Sequence, residues 1–164
     1  MIIPTRRQPQ LRTLLLAAPL IFTAHFSEEA PGFVTWFNAH VARGITVPLF
    51  WSVNYTALGI TVAVAALEWR SNSTLSALLA IAWLSLLMFA NALFHLAGAL
   101  VDRAYMPGLA TAILLYLPFY GWIIASAIQW RRLPRAGVAA AAILGALPML
   151  VHGYLIVFLG SRLF

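Results

Sequence analysis

The sequence contains no cysteine and no lysine, and only four acidic residues in 164 positions. Without thiols, neither disulfides nor thiolate metal sites are available. Without lysine, the basic side chains are all arginine, ten of them. Charged residues make up 9% of the chain, against about 25% in soluble domains. What replaces them is apolar: 63% of residues are hydrophobic and the mean hydropathy is +0.91. A single soluble core cannot hide that much apolar surface, so the solvent for most of the chain is lipid. The net charge of +6 does not argue for nucleic acid. The arginines gather at the ends of hydrophobic runs, where topology signals belong.

A helix needs roughly 20 apolar residues to cross a bilayer. Five segments qualify, about 12–30, 45–69, 75–101, 108–130 and 136–160. The breaks "APGF", "RSNST", "DRAYMPG" and "RRLPRAG" carry turn or charge signals. The stretch "PGFVTWFNAHVARG", residues 31–44, is short and mixed, which predicts an interfacial helix or re-entrant loop after the first span. The expected fold is all-α: one domain over 1–164, a polytopic bundle of five transmembrane helices. There is no internal repeat and no soluble domain. The start, "RRQPQLRTLLLAAPLIFTA", also has the basic and apolar regions of a signal peptide. Cleavage near Ala24 would leave the acidic cluster that follows without its helix, so the segment is read as a retained span. Counting arginines predicts orientation: Arg6, Arg7, Arg12, Arg70, Arg131, Arg132 and Arg135 lie on one side, and Arg43, Arg103 and Arg162 on the other. The arginine-rich side belongs in the cytoplasm, which puts the amino terminus inside and the carboxyl terminus outside.

Ionisable residues inside lipid are costly and point to function. His25, Glu28 and Glu29 fall near the outer end of the first span, His95 near the outer end of the third, and His152 in the outer half of the fifth. Asn54 lies at a similar depth in the second. At 100° per residue, Glu28 and Glu29 lie on either side of His25, within about 60° of it. Asn91, His95 and Asp102 form one stripe at i, i+4 and i+11. Pro148 frees the carbonyl of Leu144 and is expected to bend the fifth span near His152. Trp51, Tyr55, Tyr116 and Tyr120 share this level. The pattern predicts a polar pocket with aromatic and aliphatic walls, open to the outer leaflet.

Three imidazoles with carboxylates suit zinc, or alternatively iron, without thiolates. The leading expectation is a metal held by His25, His95, His152 and Glu29, with Glu28 and Glu29 as the catalytic carboxylates, one as ligand and one as general base. Asn91 and Asn54, with Trp51, Tyr55, Tyr116 and Tyr120, are candidates for orienting the ligands or lining a substrate site. The reaction would be hydrolytic, on a membrane lipid or lipid-like small molecule entering sideways. An alternative is a metal-free acid–base enzyme of isomerase or cyclase type, with a protonated glutamate as acid. A third is a non-enzymatic subunit or ion pathway. The apolar inner half ("LLLAAPL", "ALLAIAWLSLL", "AAAAILGAL") argues against a pathway, while the small residues of the last span leave room for a homo-oligomer. Taken singly, each group also has a structural reading: a membrane histidine as an interhelical hydrogen-bond group, His40 as interfacial, Asp102 as a loop charge, and Glu68 as a cap at the inner end of span two.

The segments "HFSEE" (His25 to Glu29), "NALFH" (Asn91 to His95), "RAYMPGLATAILLYLP" and "VHGY" with His152 resemble the HXXEE family of small bacterial membrane proteins over nearly the whole chain. The resemblance implies a helical protein of the bacterial inner (plasma) membrane and supports these site residues. It implies no reaction, because the family's function is unassigned.

Overall fold

The computed structural model describes residues 10–40, 44–129 and 133–159. Among them the chain is all-helical, with six helices and no strand. Helix α1 comes in two pieces, Leu11–Leu15 and Ala18–Glu29. The others are α2 (Phe33–His40), α3 (Val47–Ser71), α4 (Thr74–Asp102), α5 (Leu109–Gln129) and α6 (Arg135–Leu159). Four of them, α3 to α6, are long and apolar enough to cross a membrane, consistent with a multi-pass membrane protein.

The expected count of five long helices therefore changes. The segment expected over 12–30 breaks at positions 16–17, just before Pro19 in the first turn of the second piece. A proline ring collides with the carbonyl four residues earlier and supplies no N–H, so a continuous helix through Leu15 is disfavoured. The mixed 31–44 segment contains the short helix α2. Helix α6 stays helical through Pro148. Of the arginines used to predict orientation, Arg6, Arg7, Arg43, Arg131, Arg132 and Arg162 lie outside the described residues.

Helix ends follow local chemistry. Thr46 accepts a hydrogen bond from the Leu49 N–H at the start of α3, and Ser73 and Ser76 form a reciprocal cap at the start of α4. Asn72, at φ 44°, ends α3 in the left-handed region. Glu68 is fully buried at this hairpin and accepts from the Ser76 hydroxyl.

Helix α4 is the centre of the bundle, packed against α3, α5 and α6, while the two pieces of α1 pack on α3 and α5. Both α4 and α5 contain a wide π turn, at Ser85–Ala90 and Ala112–Tyr116. The Ser85 hydroxyl donates to the Ile81 carbonyl at 2.6 Å and accepts from the Tyr120 hydroxyl at 2.6 Å. Side-chain competition for a carbonyl thus accompanies the wide turn, and the tyrosine ties it to α5. Each π turn inserts about one residue and so offsets the helix face that follows by about 100°. The residues turned by these offsets are Asn91 and His95 on α4 and the stretch from Leu117 onward on α5.

At the crossing of α6 with α4, a Cβ on Gly145 would stand 2.1 Å from the Ala82 carbonyl oxygen. Backbone cannot give way there as a side chain can. Gly145→Ala is expected to lower stability by about 1–3 kcal/mol, read as a fall in the unfolding midpoint of the detergent-solubilised protein.

Candidate metal centre

Helix polarity brings the polar residues to one end of the bundle: the end of α1, the start of α3, the end of α4, the start of α5 and the end of α6. Within that level, three side chains close on one another. One ligand atom each of His25, Glu29 and His95 lies within 4.8 Å of the other two, and the three residues are 0–5% exposed. Glu29 Oε1 is 3.0 Å from His95 Nε2 and 3.4 Å from His25 Nε2. Neither nitrogen makes a hydrogen bond of acceptable geometry, and His95 Nδ1 is also without a partner. Ligands about 2.1 Å from a tetrahedral ion stand about 3.4 Å from one another. The spacing therefore suits a shared ion, as does the lack of hydrogen bonds at the two Nε2 atoms.

The orientation of His25 comes from α5. Thr111 Oγ1 is 2.8 Å from His25 Nδ1 and donates its hydrogen to the Gly108 carbonyl at 3.3 Å. With the hydroxyl hydrogen on that carbonyl, the imidazole donates from Nδ1 and keeps the lone pair of Nε2 on the side of Glu29 and His95. A fixed tautomer of this kind is the usual device for preparing a metal-binding histidine.

Glu28 does a different job. Its carboxylate accepts from the backbone N–H groups of Ala110 at 3.0 Å and Thr111 at 2.7 Å, and from the Tyr105 hydroxyl. It thereby caps the first turn of α5, where a negative charge is stabilised by the helix dipole. Tyr105, in the loop between α4 and α5, has its phenol pushed above the ordinary value by that carboxylate, so it remains a donor at physiological pH. Between them, at φ 95°, sits Gly108. A Cβ there would stand 2.6 Å from His95 Cε1, 2.9 Å from Glu29 Cγ and 3.0 Å from His25 Cε1. Glycine is required both by the backbone angle and by the space over the three residues.

The segment "HFSEE" and a helical match over residues 16–123 decide the family. The chain belongs to the HXXEE family. That family is described as proteins of unknown function with an HXXEE motif. No curated protein and no solved structure matches the chain. In this HXXEE protein, the His and second Glu of the motif converge with His95, and the first Glu faces the α5 terminus.

The other expected site residues divide. His152 is not part of the three-residue cluster. It lines a cavity of about 240 Å³ together with Glu29, Asn54 and Asn91, between the α1 end, α2, α3, α4 and α6. Asn91 makes no hydrogen bond to His95, and its carbonyl oxygen is buried without a partner. Tyr116 is fully buried, its ring 4.2 Å from that of His25, with an unpartnered hydroxyl. Trp51 and Tyr55 do not line the cavity. They stack on each other at 5.6 Å and meet Phe26 edge-on. Tyr120 lies with Ser85 and Phe89, away from the cluster. The aromatic walls come from Phe33, Phe37, Phe50 and Phe94 instead. Asp102, expected as a loop charge, is the last residue of α4; it accepts from Trp36 Nε1 at 2.6 Å and pairs with His40 at 3.1 Å, fastening α2 over the bundle end.

Tyr105, Gly108 and Thr111 are the site-building residues that residue-type reasoning missed. The available signal was the Pro107–Gly108 pair just before a helix, which reads as a turn and says nothing about what lies beneath. Glu28→Ala is expected to lower stability by about 0.5–2 kcal/mol through loss of the α5 cap. Thermal unfolding compared with the wild type measures it, and a Glu28→Ala protein as stable as wild type would contradict the capping role.

Proposed function

We propose that this HXXEE protein is an intramembrane metal-dependent enzyme of hydrolytic type, with the ion held by His25, Glu29 and His95. The observation that carries this reading is the pair of buried Nε2 atoms, 3.0 and 3.4 Å from one carboxylate oxygen and lacking hydrogen bonds. Two histidines and one glutamate are a known ligand set for catalytic zinc, with the fourth position left for water. Zinc is favoured because the set is nitrogen- and oxygen-only and low in coordination number. Iron fits the same donors. Zinc lowers the pKa of its water to about 7 and so makes hydroxide available. An ion held by His25, Glu29 and His95 would supply that chemistry for hydrolysis of an ester-type bond, in which water is consumed and the leaving oxygen takes up a proton.

Glu28 is not assigned as the base, since three donors already occupy its carboxylate. His152 and the Tyr116 hydroxyl are the remaining groups near enough to be considered for proton transfer or charge stabilisation. The proposed substrate is lipid-like, matching a cavity whose walls are mostly apolar. A bacterial inner-membrane location with a cytoplasmic amino terminus belongs to the same proposal. Arg12, Arg70 and Arg135 stand at the end of the bundle opposite the cluster, and Arg103 at the cluster's end.

One observation favours a second reading. Of the three clustered residues, Glu29 alone lines the cavity. A carboxyl flanked by two imidazoles could exchange a proton directly with an apolar substrate, as a metal-free isomerase would.

Elemental analysis separates the two. About one ion per chain is expected in the wild type, with loss in His25→Ala, His95→Ala and Glu29→Gln and retention in Glu28→Gln. Thr111→Val, which removes the partner of His25 Nδ1, should weaken metal affinity about 10–100-fold. Wild-type protein that retains no zinc or iron after metal-supplemented purification, and is indifferent to chelator, would move the assignment to the metal-free reading.

A further inference from the structure

The cavity beside Glu29 has features that a metal centre alone does not require. Its mouth lies between α3 and α6, which are not packed on each other as each is on α4. Leu49 and Val53 on its rim are 48% and 58% exposed, so the opening faces the apolar surroundings of the bundle. Beyond Phe94 and Met149, which it shares, runs a second groove of about 220 Å³ with apolar walls along α4 and α6. On its wall the Phe94 ring packs against Gly153, where a Cβ would stand 2.9 Å from the ring.

Size restricts the occupant. A water-sized volume is about 30 Å³, so the 240 Å³ cavity takes on the order of eight heavy atoms. That is a head group with the first part of one chain, and the adjoining groove can take more of the same chain.

The polar end restricts the head. Asn54 directs its amide nitrogen back to the Phe50 carbonyl at 3.0 Å, leaving its oxygen as the group it offers. The Asn91 carbonyl oxygen is buried without a donor. Glu29 adds a carboxylate oxygen. These acceptors at one end, with the His152 imidazole on the facing wall, call for a head that donates, which a carboxylate cannot do, because a buried acceptor left unsatisfied costs about 1–3 kcal/mol.

We propose that the cavity and its adjoining groove bind an uncharged single-chain amphiphile whose head carries a hydroxyl, entering sideways between α3 and α6. The hydroxyl donates into the acceptor set of Asn54, Asn91 and Glu29, and the chain runs past Phe94 and Met149 into the groove. This goes beyond the proposed function by naming what the cavity admits, and it rests on that reading only in placing the head beside Glu29.

The test uses the full chain in lipid nanodiscs with three photoreactive probes: hexadecanol bearing a mid-chain diazirine, its methyl ether, and the corresponding carboxylic acid. Labelled positions are mapped by mass spectrometry, with and without chelator. The alcohol should label the cavity and groove, around Phe94, Met149 and Tyr154, and excess unlabelled hexadecanol should suppress that labelling. The ether, and the alcohol on Asn91→Leu protein, should each label there about tenfold less, as loss of one buried hydrogen bond implies. The ether comparison uses the wild-type chain, so it stands even if Asn91→Leu fails to fold. Chelator should leave alcohol labelling in place, so an absent metal overturns the metal-dependent reading without touching this one. Equal labelling by the ether, stronger labelling by the acid, or labels spread evenly over outward positions such as Leu114 and Ile143 would overturn the proposal.

Discussion

A carboxylate with almost no solvent contact, set between two imidazoles, is expensive to keep inside an apolar bundle, and much of the surrounding structure serves to hold it there. An uncompensated buried charge costs several kcal/mol, so Glu29 needs partners that cannot drift away. His25 is supplied by the same helix one turn earlier. His95 comes from α4, turned into place after a π segment. Gly108 closes over all three with no side chain of its own, and Thr111 fixes the ring of His25. Change any of these supports and the carboxylate faces either lipid or a void.

Adjacent glutamates acquire opposite roles from a rotation of 100°. Glu29 turns inward to the imidazoles. Glu28 turns to the start of α5 and binds two backbone N–H groups and a phenol. The two are mechanically linked, because the turn that Glu28 anchors is the one that places Gly108 and Thr111 over the cluster. A motif with two glutamates thus supplies one member of the histidine cluster and one anchor for α5.

The apolar cavity adds direction. Glu29 is the point at which the cluster meets the space between α3 and α6, and His152 and Asn91 stand on the facing walls. Phenylalanines form most of the aromatic lining, whereas Trp51 and Tyr55 brace α1 from outside through Phe26. The polar groups therefore sit at the inner end of a cavity whose remaining walls are apolar.

By itself the sequence determined the all-helical class, the positions of four long apolar helices and the end of the bundle at which polar groups collect. Those features follow from hydrophobic run length and from helix polarity, both of which are local or additive along the chain. The approach of a motif glutamate to His25 was legible for the same reason, since both glutamates lie within about 60° of it around the helix, but not which of the two turns inward. The tertiary structure decided the rest. It broke the first segment at Pro19, because a ring clash depends on the helix trying to continue past it. It separated His152 from the other histidines, and replaced Trp51, Tyr55 and Tyr120 with phenylalanines around the cavity, because similar depth does not fix rotation about a helix axis. The π turns on α4 and α5 alter that rotation, and no hydrophobic period reveals them. Gly108 and Thr111 became part of the site only once a loop between two helices was folded back over a third, a contact set by packing across long sequence separations.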